Sequence, residues 1–325
     1  MTRTASAFWL NESGNGEVRQ VTLAEPGPGE AEVRTLFSGV SRGTETLVFR
    51  GGVPENQHAA MRAPFQEGDF PWPVKYGYLN VGVAETGQHN GRTVFCLYPH
   101  QTRYVVPETS LTPVPDDVPA ERAILAGTVE TAVNAVWDAH PLIGDRIAVV
   151  GGGMVGSSIA AVVATFPGAR VQLVDADPTR KTIAEKLGVG FALPDNAEDG
   201  CDLVFHASAT EPGLTTALNL LAPEGRVVEL SWYGDKKVSV PLGEFFHSRR
   251  LTIRSSQVGT VGRPDRTYAE RMALALDLLK DDRFDALITG HSAFEELPDV
   301  MPKLADGTIP ALCHRIDYGQ QHVSG

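Results

Sequence analysis

Three glycines, Gly151, Gly153 and Gly156, stand as G-x-G-x-x-G in "IAVVGGGMVGSSIA". The chemistry open to that spacing is the binding of a diphosphate. The first glycine permits a tight turn, the second lets the pyrophosphate approach the backbone, and the third lets a helix pack on a strand. N–H groups at the helix start, those of Met154, Val155 and Gly156, then face the phosphates. Asp175 ends the next apolar run, 19 residues after Gly156. A carboxylate there accepts hydrogen bonds from both ribose hydroxyls and repels a 2′-phosphate. The expected cofactor is therefore NAD(H) in preference to NADP(H). NADP(H) stays possible, because Arg180 and Lys181 follow closely. Ligands of doubly wound sheets lie at the carboxyl ends of strands. That rule adds Ser208 after "VFHA", Ser231 and Trp232 in "ELSWYG", and Gln257 in "SSQVG".

A second set of reactive side chains lies earlier. Tyr76 and Tyr78 are two apart in "KYGYLNVG", so a strand would place both on one face. A phenol with an ordinary pKa of about 10 stays protonated at neutral pH. Tyr78 is thus a usable donor to an oxygen that gains charge during a reaction. Ser41 and Thr44 in "SGVSRGTE" could extend a proton relay from it. Filling of volume is the other role open to Tyr78. His100 in "YPHQTRY" is another candidate for that relay. Arg42 could hold a substrate carboxylate or a cofactor phosphate, and His100 and Trp232 are further candidate substrate contacts.

The elements that must position these residues read as two kinds. Residues 1–118 carry short β-like runs, "AEVRTLFSGVS", "VKYGYLNVGVAE", "RTVFCLYP" and "TRYVVP", between Gly and Pro turns, which predicts a compact β-rich domain. Residues 119–285 alternate short apolar strands with amphipathic helices, which predicts a parallel sheet covered on both faces. Residues 286–325 hold a short helix and a strand, "ALCHRIDY". The fold class expected is α/β, a β-rich domain joined to a Rossmann sheet.

Composition narrows the function. Across 325 residues, 42% hydrophobic and 21% charged side chains suit a globular chain of two domains. A formal net charge of −12 disfavours nucleic acid and anionic lipid as partners. Cys96, Cys201 and Cys313 are widely spaced and form neither a disulfide framework nor a CxxC metal knuckle. A reduced, cytoplasmic setting fits, and the first residues lack a signal-peptide apolar core. Residues 147–166 are uncharged and could be mistaken for a membrane span; their glycines and serines predict a strand, turn and helix instead.

A β domain, then a Rossmann domain, then a returning tail resembles the medium-chain dehydrogenase/reductase superfamily over the whole chain. "FPWPVKYGYLNVG", "SGVSRGTETLVFRG", "LSWYGD" and "FFHSRRLTIRSSQVG" are similar to the zinc-type alcohol dehydrogenase relatives that include 2-desacetyl-2-hydroxyethyl bacteriochlorophyllide a dehydrogenase. The resemblance implies a GroES-like catalytic domain, a site in the cleft between domains, and a homodimer formed through the last Rossmann strand, "LTIRSSQV". It also implies ligand positions for zinc, and here they depart from the pattern. Ser41 or Arg42 stands where a Cys is expected, Tyr78 and Leu79 replace the His and Glu of "GHE", and Ala126 or Gly127 replaces the third ligand. Glu45 and Glu130 are the nearest acids. With about three N, S or O ligands needed, no zinc is expected, and a protein donor must do its work. The function expected is reversible oxidation of a secondary alcohol to a ketone, on a small-molecule substrate. The alternatives are reduction of an α,β-unsaturated carbonyl or quinone-like substrate, and a nucleotide-binding sensor or scaffold without catalysis.

Overall fold

The computed structural model describes residues 3–319. The chain divides into two compact units, Met1–Gly127 with Ile288–Gly325, and Thr128–Leu287. The division falls inside the helix Ala126–Ala139, later than the boundary expected at residue 118. The short helix Ala120–Ala123 behind the Pro-Asp turn packs on the strands Glu30–Ser41 and Asn80–Ala84 and so belongs to the first unit.

The first unit is built on the long strand Glu30–Ser41. Arg103–Pro107 pairs with its first half, and Asn80–Ala84 pairs along its middle. The tail strand Cys313–Asp317 pairs antiparallel with its second half, setting Cys313 opposite Ser41 and Asp317 opposite Phe37. A second, four-stranded sheet holds Thr4–Glu12 between Asn15–Thr22 and the short strand Val74–Lys75. Ala31, Val33, Val94, Tyr104 and Val106 fill one core of this unit. "KYGYLNVG" is a strand that runs into a glycine turn. Strand stops at Lys75 and resumes at Asn80. Gly77, at φ +136°, turns the chain in a conformation that L side chains rarely adopt. Tyr76 and Tyr78 still meet, edge to face, with ring centroids 6.2 Å apart.

The second unit is a six-stranded parallel sheet. Across the sheet its strands run Gly190–Ala192, Arg170–Val174, Arg146–Val150, Cys201–His206, Leu221–Glu229 and Thr252–Ser255. Numbered along the chain this is the order 3-2-1-4-5-6 of dinucleotide folds, reversing beside Arg146–Val150. Short apolar strands buried on both faces and linked by helices leave few other arrangements. Val150, Val174, Val204, Leu214, Ala217, Leu218 and Val227 form one core of the sheet. The uncharged stretch 147–166 is the first of these strands and the helix Met154–Val163. No helix among the described residues is long and apolar enough to cross a membrane. All three cysteines are buried and free.

Candidate active-site constellations

In the second unit the glycine motif sits at the carboxyl end of Arg146–Val150, where the strand order reverses. Gly151 has φ +109°, and a Cβ there would lie 2.6 Å from the Ser208 amide nitrogen. A Cβ on Gly156 would lie 1.9 Å from the Gly151 carbonyl oxygen. A Cβ on Gly153 would meet nothing within 4 Å. The outer two glycines are therefore required by backbone contact, while the middle one faces open space, as a diphosphate seat needs. Gly153 caps the helix, and Met154, Val155 and Gly156 open it, so their N–H groups have no partner within the helix.

Asp175 follows directly on Arg170–Val174. Its Oδ2 accepts the Gly152 N–H at 2.6 Å and its Oδ1 accepts the Asp177 N–H at 2.8 Å. The carboxylate is thus fixed against the glycine loop. Arg180 opens the next helix, pairs with Asp177 at 3.4 Å, and passes its side chain over Gly152. Both expected adenosine-end residues therefore converge on one loop.

The strand-end candidates have more local roles. Ser208 Oγ lies 2.7 Å from His206 Nε2 and 2.9 Å from Thr210 Oγ1, against Gly213. Ser231 donates its N–H to Glu229 Oε1 at 2.7 Å and accepts the Ala209 N–H at 3.1 Å. These bonds gather around the fully buried His206, whose Nδ1 lies 2.7 Å from Glu229 Oε2. Burial pushes the Glu229 carboxyl up, but the His206 and Ser231 hydrogen bonds outweigh it and leave the group below its ordinary value. The Gln257 Oε1 caps its own turn at the Gly259 N–H, 2.6 Å away. Trp232 is half-buried just after the fifth strand.

In the first unit, Tyr78 is half-buried and its hydroxyl shares hydrogen bonds with the side chains of Ser41 and Thr44. Burial pushes the phenol up to about 12, the negative charge of Glu45 adds to this, and the two hydroxyls oppose it. Ser41 ends the long strand and caps the helix Arg42–Phe49 without using its side chain for the cap. Glu45 caps in its place, Oε1 accepting the Ser41 N–H at 2.7 Å. An acid in the first turn also suits the positive end of the helix. The Ser41 hydroxyl is thereby left to the phenol.

His100 lies inside the first unit. It is 2% exposed, with Nε2 2.8 Å from Glu45 Oε2 and Nδ1 2.7 Å from Ser38 Oγ. Ser38 Oγ in turn lies 2.9 Å from the Tyr318 hydroxyl. Arg42 begins the helix half-buried, its guanidinium near Gly307 of the same unit. Sequence reasoning raised Glu45 only as a stray acid and overlooked Ser38 and Tyr318. Partners separated by 55 and 280 positions carry no local signal.

Among the described residues no group of three or more His, Cys, Asp and Glu gathers as a metal would need. At the third expected ligand position a Gly127 Cβ would lie 2.7 Å from Leu79 Cδ2, so apolar packing occupies that side.

The family described as Zinc-binding dehydrogenase matches residues 155–280. An L-threonine 3-dehydrogenase of Rhizobium rhizogenes is 33% identical over 107 residues, 33% of this chain and 30% of that protein. An uncharacterised zinc-type alcohol dehydrogenase-like protein of Haemophilus influenzae is 27% identical over 62% of this chain and 59% of its own length. The chain thus spans less than two thirds of both of these relatives. A putative zinc-binding dehydrogenase of Sinorhizobium meliloti, solved bound to NADP, superposes with a TM-score of 0.78 at 17% identity, covering 97% of this chain and 100% of that one. With a parallel sheet in dinucleotide order and its glycine loop already in place, the chain has the fold of that solved dehydrogenase, and its residues 155–280 are similar to the Zinc-binding dehydrogenase family.

Proposed function

We propose that the chain is an NAD(P)(H)-dependent oxidoreductase that interconverts a secondary alcohol and a ketone without zinc. The observation that carries the reading is the glycine loop, with its two backbone-locked glycines, its open middle position and Asp175 fixed beside it. Such a loop holds a diphosphate against a helix start and offers a carboxylate to the adjoining ribose. Asp175 favours NAD(H); Arg180, close enough to swing from Asp177, keeps NADP(H) within reach. A nicotinamide bound there would supply or accept the hydride.

The protein must then handle the proton on the substrate oxygen. Tyr78 is suited to that work as a protonated phenol held by Ser41 and Thr44. Ser41, Tyr78 and the Leu79–Gly127 contact stand at the positions where the resemblance expects metal ligands, and they do not fit zinc. No step is therefore routed through a metal. A hydroxyethyl group, or a similar alcohol on a larger metabolite, is the substrate class we favour. The exposed edge strand Thr252–Ser255 is our candidate for a homodimer contact.

Fluorescence titration with NADH and with NADPH tests the cofactor, and turnover of acetophenone with NADH tests the reaction. Tighter binding of NADH and reduction of the ketone are expected. Turnover of enones alone would replace the reaction by reduction of a conjugated double bond, and binding of neither nucleotide would remove the reading.

A further inference from the structure

The polar cluster at the carboxyl ends of the fourth and fifth sheet strands, Cys201–His206 and Leu221–Glu229, lies wholly in the second unit. Glu229 ends the fifth strand with its side chain 14% exposed. Its Oε1 accepts the Ser231 N–H at 2.7 Å, and its Oε2 lies 2.7 Å from His206 Nδ1 and 3.3 Å from the Tyr233 hydroxyl. The neutral imidazole tautomer that fits donates from Nδ1 to the carboxylate and accepts the Ser208 hydroxyl at Nε2, 2.7 Å away. Thr210 then donates its hydroxyl to Ser208 Oγ at 2.9 Å, while its Oγ1 accepts the Gly213 N–H at 3.1 Å. Every proton has a place, and the cluster carries one negative charge. The Tyr233 phenol registers that charge: burial first, and Glu229 next, push it up to about 12. A carboxylate held beside a buried imidazole is costly, and apolar side chains of like volume would pack as well or better. Val204, Val227 and Val228, on the same two strands, are that apolar alternative. Packing alone does not account for the pair.

In the strand order 3-2-1-4-5-6, strands one to three hold one mononucleotide and strands four to six the other. Asp175, after the second strand, takes the adenosine half. The half built on the fourth and fifth strands is left for the nicotinamide. The cluster adjoins the glycine loop there, the Ser208 amide nitrogen standing 2.6 Å from where a Gly151 Cβ would be. The two redox forms of the nicotinamide differ by one charge: the oxidised ring is a cation and the reduced ring is neutral. Building on the cofactor reading above, we propose that Glu229 makes the nucleotide site select the oxidised cofactor. Its negative charge attracts the cationic ring and has no such attraction for the neutral one. His206, Ser231 and Tyr233 fix the carboxylate in place by their hydrogen bonds. Asp235, Lys236 and Lys237, the next charges along the chain, are exposed, so solvent screens them. Asp175 acts on the adenosine half, which is the same in both forms. The consequence is direction: a site that prefers the oxidised cofactor is filled for alcohol oxidation when both forms are present at equal concentration.

The test is equilibrium titration of the whole protein at about pH 8.5, where imidazole side chains are neutral. Oxidised NAD, NADH and ADP-ribose, which lacks the nicotinamide, are each titrated calorimetrically. In Glu229→Gln the affinity for ADP-ribose should stay, that for oxidised NAD should fall on the order of 10-fold, and that for NADH should change by less than about twofold. Glu229→Asp keeps the charge and should keep the wild-type ratio of the two affinities. The double variant His206→Leu/Glu229→Met removes the carboxylate together with its partner, so no buried charge is stranded. It should lose the preference as Glu229→Gln does, and it decides the matter if Glu229→Gln folds poorly. A ratio within about twofold of wild type in a folded variant lacking the carboxylate would overturn the selection by charge and leave the cofactor reading standing. Equal loss of all three ligands would make Glu229 a structural group only, and would overturn it too. Binding of no nucleotide by the wild-type protein would remove the cofactor reading and this inference with it.

Discussion

Replacing Tyr78 by Phe removes the phenol oxygen and little else. The phenol stands at about 12 against an ordinary 10. Two pKa units correspond to about 2.7 kcal/mol favouring the protonated form. At pH 7 roughly one phenol in 10⁵ is ionised, which follows from five units of separation. The two directions of reaction should therefore respond differently to pH. Ketone reduction needs the protonated phenol, which is present throughout pH 6–9, so Tyr78 imposes no pH dependence on kcat/KM there. Alcohol oxidation needs the phenolate, so log kcat/KM should climb by about one per pH unit over the same range with no plateau. In Tyr78→Phe both directions should lose about 10²–10⁴ in kcat, or 3–5 kcal/mol of transition-state stabilisation. The oxidation slope should vanish. Stability should change little, because the ring remains against Tyr76 and only the hydroxyls of Ser41 and Thr44 lose a partner. Steady-state rates from pH 6 to 9 in both directions, with NADH affinity measured in parallel, make the assay. A variant within threefold of wild type, or an oxidation slope that survives in it, would refute the role of Tyr78 as acid and base.

Asp175→Asn should weaken NADH about 10-fold and strengthen NADPH, since a charged acceptor is exchanged for a neutral one of the same shape; an unchanged ratio in parallel fluorescence titrations would dismiss the carboxylate as the selector. Gly156→Val should abolish binding of both nucleotides while leaving a folded protein by circular dichroism, because even a Cβ would stand 1.9 Å from the Gly151 oxygen; undiminished NADH affinity would show that the loop is not the seat. Arg271→Met should cost about 3–5 kcal/mol, read as a lower urea midpoint. Arg271 is 1% exposed and donates to Glu130 Oε1 at 3.0 Å and to the Val258 carbonyl at 2.7 Å, so its loss strands a buried carboxylate. An unmoved midpoint would mean that Glu130 finds another partner.

The two halves of the site were unequally legible in the sequence, and the reason is distance along the chain. The nucleotide loop is local. Gly151, Gly153, Gly156 and Asp175 fall within one strand–helix–strand unit, so their spacing alone fixes which glycine meets backbone and which faces open space. The parallel sheet was legible for the same cause, as each strand announces itself by a short apolar run and each helix by its period. The boundary was expected at residue 118, after a Pro-Asp turn, because the packing of Ala120–Ala123 on two distant strands leaves no mark in composition. In "KYGYLNVG" the glycine marks the turn into which the strand runs, and that signal too is local. The Tyr78 surroundings lie at the far limit. Tyr78 and its two hydroxyl partners were found only because Ser41 and Thr44 occupy a motif, "SGVSRGTE", that is informative in itself. His100 had a chemically suggestive type, but its partners could not be read from its neighbours in sequence. It is drawn inside by Glu45, which the helix Arg42–Phe49 presents inward while capping Ser41, and by Ser38 on the long strand. The tail strand then delivers Tyr318 by pairing with that same strand. A buried acid, imidazole and phenol must be satisfied by one another or be costly. That requirement is what assembles the chain of groups behind Tyr78, and it acts on neighbours in space, which no spacing rule along the sequence can name.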